Sequence, residues 1–151
     1  MKSVKAETGA LVQPDFLTSI LRSQVRVLKV ARASAASQGL TLQQFSVLRF
    51  LLLRGTVPMN ALGDELMVSP PVITGIVDRL EAKGLVKRLA SSADRRRIDV
   101  SLTDNGSKAH SRVREGYRVP LREALGKSLS HSEQETLAEL LARFSREIPI
   151  R

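Results

Sequence analysis

The chain has 151 residues, enough for one domain with a sizeable core or for a small domain carrying an oligomerisation appendage. It is 42% hydrophobic and 26% charged, which fits a folded chain, and its 3% aromatics are too few for the stacking platforms that hold single-stranded nucleic acid. Lys and Arg outnumber Asp and Glu by 24 to 15, a net +9 that points to a polyanionic partner, and the lack of cysteine excludes disulfides, thiolate metal sites and thiol sensing.

Met1 to Pro14 show little periodicity and read as an arm. Asp15 is placed to cap a first helix, roughly Phe16 to Ala36, with Leu17, Ile20, Leu21, Leu28 and Ala31 as its apolar stripe, and Gly39 ends it. Thr41 and Gln44 form a capping-box pattern for a second helix. Its Leu42, Phe45, Val47, Leu48, Leu51, Leu52 and Leu53 are apolar on nearly all sides, the pattern of a helix at the centre of a core. After Gly55, Thr56-Val57 is a short extended piece, and Pro58 opens a compact helical segment, Met59 to Met67.

Val68 and Ser69 turn the chain into the stretch around which the rest is organised, Ser69 to Gly84. Ser69 is a candidate N-cap, Pro70 suits the first helical position, and Ile73, Ile76, Val77 and Leu80 make one buried stripe. Two short helices joined by a tight turn read as a helix-turn-helix, although the turn lacks a glycine; Gly63 lies inside the first helix, where it would allow the two to pack closely. Beyond Gly84 the pattern alternates. Leu85–Leu89 and Ile98–Leu102 are strand candidates, the second with Ile98, Val100 and Leu102 on one face, and the polar tip between them ends in three arginines. Thr103 or Asp104 caps a further helix that runs towards Gly126, with Gly116 and Pro120 expected to bend or interrupt it. Ser130 and Glu133 open a last helix with Leu137, Leu140, Leu141 and Phe144 as its stripe, and Pro149 stops it.

The expected fold is therefore mainly α with a small β-hairpin wing, a winged helix-turn-helix flanked by further helices. Residues 1–37 hold the arm and first helix, 38–102 the winged helix-turn-helix and 103–151 the C-terminal helices. An enzyme is not indicated. His110 and His131 are the only histidines, neither has a metal-ligand or nucleophile companion at useful spacing, and no glycine-rich phosphate loop is present. No cofactor is expected. The longest apolar run, Phe50 to Leu53, is far too short for a bilayer and the N-terminus has no signal-peptide core, so the chain is read as cytoplasmic and nucleoid-associated.

Taken in order, Leu62 to Leu66, Val68-Ser69-Pro70-Pro71, Thr74, Val77-Asp78-Arg79-Leu80, Lys83-Gly84-Leu85-Val86 and Arg88, then Asp94-Arg95-Arg96, Leu102-Thr103 and Gly106, resemble the MarR family of winged-helix transcriptional regulators. Gly63 and Gly75 depart from it, standing where the family usually has Ala and a larger residue. The resemblance implies a homodimer of intertwined terminal helices, each subunit presenting one winged helix to double-stranded DNA, and a small phenolic or lipophilic effector that releases the operator. It makes residues 1–37 and 103–151 the helical dimerisation region and 38–102 the DNA-binding region. It implies that Ser69, Pro70, Pro71, Thr74 and Gly75 meet the major groove and that Arg79 reaches a phosphate or pairs with a neighbouring acid. It also implies that Arg96 enters the minor groove oriented by Asp94, and that Arg95, Arg97, Lys87 and Arg88 neutralise phosphates. A sequence-independent architectural DNA binder, for which +9 alone suffices, is the alternative, and an interaction module that has lost DNA binding is a third reading.

Overall fold

The computed structural model describes residues 15–90 and 97–148. They form α1 (Phe16–Ser37), α2 (Leu42–Arg54), β1 (Val57–Pro58), α3 (Met59–Leu66), α4 (Pro70–Ala82), β2 (Val86–Ala90), β3 (Ile98–Leu102), α5 (Asp104–Ser128) and α6 (His131–Glu147). Helix starts follow the capping chemistry of the sequence. Asp15 accepts the Thr18 N–H at 2.7 Å, Thr103 accepts that of Gly106 at 3.0 Å, and the Thr41–Gln44 and Ser130–Glu133 boxes both close. Each such bond satisfies a backbone donor that the helix leaves free, stabilising it by about 1 kcal/mol.

The core sits beneath the helix-turn-helix. Phe45, Val47, Leu48 and Leu51 of α2 meet Leu62 of α3, the whole α4 stripe and Val86 and Val100 of the sheet, and α5 contributes Ala109 and Val113. Each large side chain removed from water here contributes roughly 1.5–3 kcal/mol. Leu52 and Leu53 depart from expectation, being 45% and 72% exposed. At about 100° per residue Leu53 lies well off the buried arc, whereas Leu52 is one turn on from Leu48 and is left half exposed in the last turn of the helix.

The sheet has the antiparallel order β1–β3–β2, with Val57 opposite Val100 and Val86 opposite Leu102. The short extended piece thus becomes a third strand at an edge, where Pro58 removes no needed donor. β2 starts at Val86, one residue later than expected, because Leu85 bonds instead to Leu80 and Thr103. On β3 Val100 is buried, but Ile98 is 48% exposed, and Ser101 on the opposite face is buried as well.

Neither Gly116 nor Pro120 interrupts α5, which is one helix of 25 residues. A Cβ on Gly116 would lie 2.3 Å from Ser34 Oγ, so the missing side chain is where α1 crosses α5 closely. Ser34 completes the crossing by donating to the Val113 carbonyl at 2.8 Å. Pro120 lacks the N–H that the Gly116 carbonyl, four residues back, would accept, and the helix runs on through it. Away from this crossing the terminal helices cover little of themselves. α1 buries only Ala31, Ser34 and Ala35, and α6 buries no residue.

Candidate nucleic-acid interface

The turn between α3 and α4 closes without a glycine because Met67 takes the left-handed conformation, φ 50°, unusual for a residue with a side chain. Gly63 supplies the room. Its absent Cβ would lie 3.3 Å from the Val68 carbonyl and 3.5 Å from Ile73 Cγ2, so α3 rests directly on the turn and on α4, the close packing its position suggested.

On α4 the four expected residues, Ile73, Ile76, Val77 and Leu80, are buried. Ser69 stands at the N-cap position, yet its hydroxyl makes no capping bond. Pro71 removes one of the two donors a cap would serve, and the other, the Val72 N–H, bonds the Ser69 carbonyl at 3.0 Å, as does the Ile73 N–H at 3.1 Å. The hydroxyl is left exposed. Ser69, Pro70, Pro71, Thr74 and Arg79 all lie on the exposed side, with Gly75 partly covered. The Thr74 hydroxyl donates its proton back to the Pro70 carbonyl at 2.8 Å, so towards solvent it can only accept. Val72, 45% exposed, joins this face. The sequence reading passed over it, although an apolar residue off the buried stripe was the available signal.

Arg88, expected as a phosphate ligand, is engaged by two carboxylates of its own chain. Its guanidinium is held at 2.5 Å by Asp78 and again at 2.5 Å by Glu81, and Glu81 also accepts the Arg88 N–H at 3.0 Å. Burial works against its charge, but the bonds to the two carboxylates and their charge outweigh burial and raise its pKa. Arg88 therefore clamps β2 to α4. Lys87 on β2 and Arg97 just ahead of β3 are exposed, and Arg79 has no ion pair among the described residues. Asp94, Arg95 and Arg96 lie outside the described residues.

Two further contacts bind this unit to the rest of the chain. Lys83, just past α4, donates to the Gly39 carbonyl between α1 and α2. His110 of α5 is buried and stacks on Phe45 of α2, ring centroids 5.1 Å apart and planes within 7°. Burial first, then the charges of Arg114 and Arg49, hold its imidazole below the usual pKa. Among the described residues no helix is long and apolar enough to cross a membrane.

A helix-turn-helix with its second helix exposed, braced against a three-stranded antiparallel wing, defines the winged-helix class. Residues 38–97 match the model of the MarR family. Over 108 residues the chain is 34% identical to the transcriptional regulator FarR of Neisseria gonorrhoeae, covering 71% of this chain and 73% of that one. It is 32% identical over 113 residues to the transcriptional repressor MdtR of Bacillus subtilis, covering 75% and 72%. The structure of a mutant MarR from E. coli complexed with operator DNA superposes with a TM-score of 0.68 at 26% identity, covering 83% of this chain and 90% of that one. The chain belongs to the MarR family of transcriptional regulators.

Proposed function

We propose that the protein is a sequence-specific repressor that binds a pseudo-palindromic double-stranded operator as a homodimer in the cytoplasm. One observation carries the reading: α4 spends its apolar stripe on the core and leaves the opposite face of its first two turns uncovered and free of carboxylates. The second helix of a helix-turn-helix docks such a face in the major groove. Ser69, Pro70, Pro71, Thr74 and Gly75 are the proposed groove-facing residues, and Arg79, Arg95 and Arg97 the phosphate ligands. Arg96, oriented by Asp94, is the proposed minor-groove residue. Arg88 is reassigned from phosphate ligand to the clamp that sets the angle between wing and helix.

Residues 38–102 form the proposed DNA-binding region, with 1–37 and 103–151 serving dimerisation. The uncovered Leu137, Leu140, Leu141 and Phe144 of α6, beside Phe16 of α1, support that division, since obligate dimers bury such surface against a partner. A small phenolic or lipophilic effector that releases the operator completes the proposal. A coupling of about 1–3 kcal/mol suffices for it.

Fluorescence-anisotropy titration of the duplex upstream of the gene, beside a scrambled duplex and at two salt concentrations, tests the reading. The native duplex is expected to bind at least about tenfold tighter, near 1.4 kcal/mol, and Arg96→Ala to remove most of the binding. Equal affinities that track only salt would favour the architectural reading, to which the net +9 lends itself.

A further inference from the structure

The outward face of α4 has a chemistry of its own, apart from the general fact that such a helix meets DNA. Viewed down the helix, Pro71 and Gly75 stand one turn apart on the ridge opposite the buried stripe, and Val72 flanks them. None of these has a hydrogen-bonding side chain. Thr74, the polar residue among them, already gives its proton to Pro70. Ser69 sits ahead of the helix, at the edge of the face. No Arg, Lys, Asn or Gln occurs between Ser69 and Asp78, so this half of the helix lacks the forked donors and acceptors that pair with guanine or adenine edges.

Gly75 strengthens the point. Its backbone is not in the left-handed region, and a Cβ added there would meet nothing within 4 Å. The fold therefore gives no reason for the missing side chain, in contrast to Gly63 and Gly116, whose Cβ atoms would press on Val68 and Ser34. The space it leaves opens outward. A mid-helix glycine on an exposed ridge lets the helix backbone approach another surface more closely than any other residue would.

We propose that Val72 and Gly75 determine specificity by reading thymine: Gly75 lets α4 seat deeply, and Val72 with the Pro71 ring packs on C5-methyl groups, the hydrocarbon that the major groove offers. The proposal rests on the reading of the protein as a sequence-specific DNA binder. The preferred half-site then carries thymines under the first two turns of α4, distinguished from cytosine by the methyl and by shape rather than by a hydrogen-bond fork.

Replacing thymine by uracil removes that methyl and leaves the minor-groove edge of the base pair as it was, so the wing's contacts are untouched. Duplexes are first enriched from a random pool by binding to the full-length protein, then the enriched duplex is synthesised with thymine or with uracil. Wild type is expected to bind the uracil duplex about tenfold more weakly. Val72→Ala should shrink that ratio to below about threefold, because the partner of the methyl is gone. Gly75→Leu should weaken both duplexes by about tenfold or more without lowering the melting temperature, since the position is open at Cβ and the added bulk stands between helix and DNA. If the pool enriches a sequence but wild type binds thymine and uracil duplexes alike, or Gly75→Leu binds as wild type does, thymine reading is overturned and sequence-specific binding stands. If no sequence enriches, sequence-specific binding falls and takes this inference with it.

Discussion

The same substitution, Gly to Ala, is expected to move stability in opposite directions at two helical positions. At Gly106, in the first turn of α5, a Cβ would lie 2.0 Å from the Leu85 carbonyl oxygen and 2.7 Å from Leu102 Cδ1. Close carbon–oxygen contacts are about 3.3 Å, so the turn must lift by roughly 1 Å. That carbonyl accepts the Thr103 N–H at 3.1 Å, and the Thr103 hydroxyl donates to the Gly84 carbonyl at 2.7 Å. Lifting the turn strains both. Overpacking costs about 1–3 kcal/mol and a weakened hydrogen bond about 1 more, against at most about 1 regained in helix propensity. Gly106→Ala should therefore destabilise by about 1–3 kcal/mol, whereas Gly75→Ala, which meets nothing, should stabilise by about 0.5–1. Urea unfolding followed by circular dichroism, at one fixed protein concentration so that dimerisation contributes alike to each variant, measures both. If Gly106→Ala unfolds within about 0.5 kcal/mol of wild type, the reasoning from that contact is wrong.

Arg88 can be assigned by the sign of a second mutation. As a clamp, it loses its function when Glu81→Gln removes a partner, so both Arg88→Ala and Glu81→Gln weaken DNA binding in a titration while the salt slope stays as it was. As a phosphate ligand, removal of the acid would instead strengthen binding. Both ion pairs are partly solvent-exposed, so the stability loss from either variant should stay within about 1 kcal/mol. His110 predicts a pH dependence. Its folded pKa is below the ordinary 6.5, so the unfolded chain takes up a proton first as pH falls, and stability, complete above about 6.5, declines below it. His110→Phe should flatten that decline in melting curves taken from about pH 8 to about pH 5; an unchanged decline would refute the role. Leu140→Arg on the uncovered face of α6 should yield monomers by sedimentation velocity with the helix-turn-helix still folded, and a dimer that persists would remove α6 from the interface.

Much of the fold was legible because its signals are local. A capping box needs residues three apart, and an apolar stripe needs one helix, so α4 and both boxes were read correctly. What escaped depends on other parts of the chain. Gly116 and Pro120 look like a break until Ser34, far away in sequence, is found occupying the space a Cβ would take. Leu52 and Leu53 look like core until the limited number of neighbours around α2 is known. Arg88 looks like a phosphate ligand because a basic strand beside a basic loop suggests one, while its partners Asp78 and Glu81 lie across a turn, on another element. Ser69 looked like a cap because it precedes a helix, but Pro71 has no N–H to offer and the Val72 N–H turns to the Ser69 carbonyl instead of its hydroxyl. Val72, exposed beside Pro71 on α4, was not among the groove-facing residues the sequence offered, although it is an apolar residue off the buried stripe.

The unbroken α5 has a mechanical consequence. Its buried residues, Gly106, Ala109, His110 and Val113, all lie in its first half, so the helix is anchored at the winged-helix end, and beyond Val113 it buries no residue. Twenty-five residues at about 1.5 Å each make a rod of about 37 Å. If the far ends of two such rods are joined in a dimer, a tilt of about 5° where one meets its winged helix displaces that unit by roughly 3 Å. One base-pair step is about 3.4 Å, so a rotation too small to disturb the core puts one recognition helix a full step out of phase with its half-site. The rod converts a subtle change of angle into a loss of register, and a regulator built this way needs only to lean in order to let go.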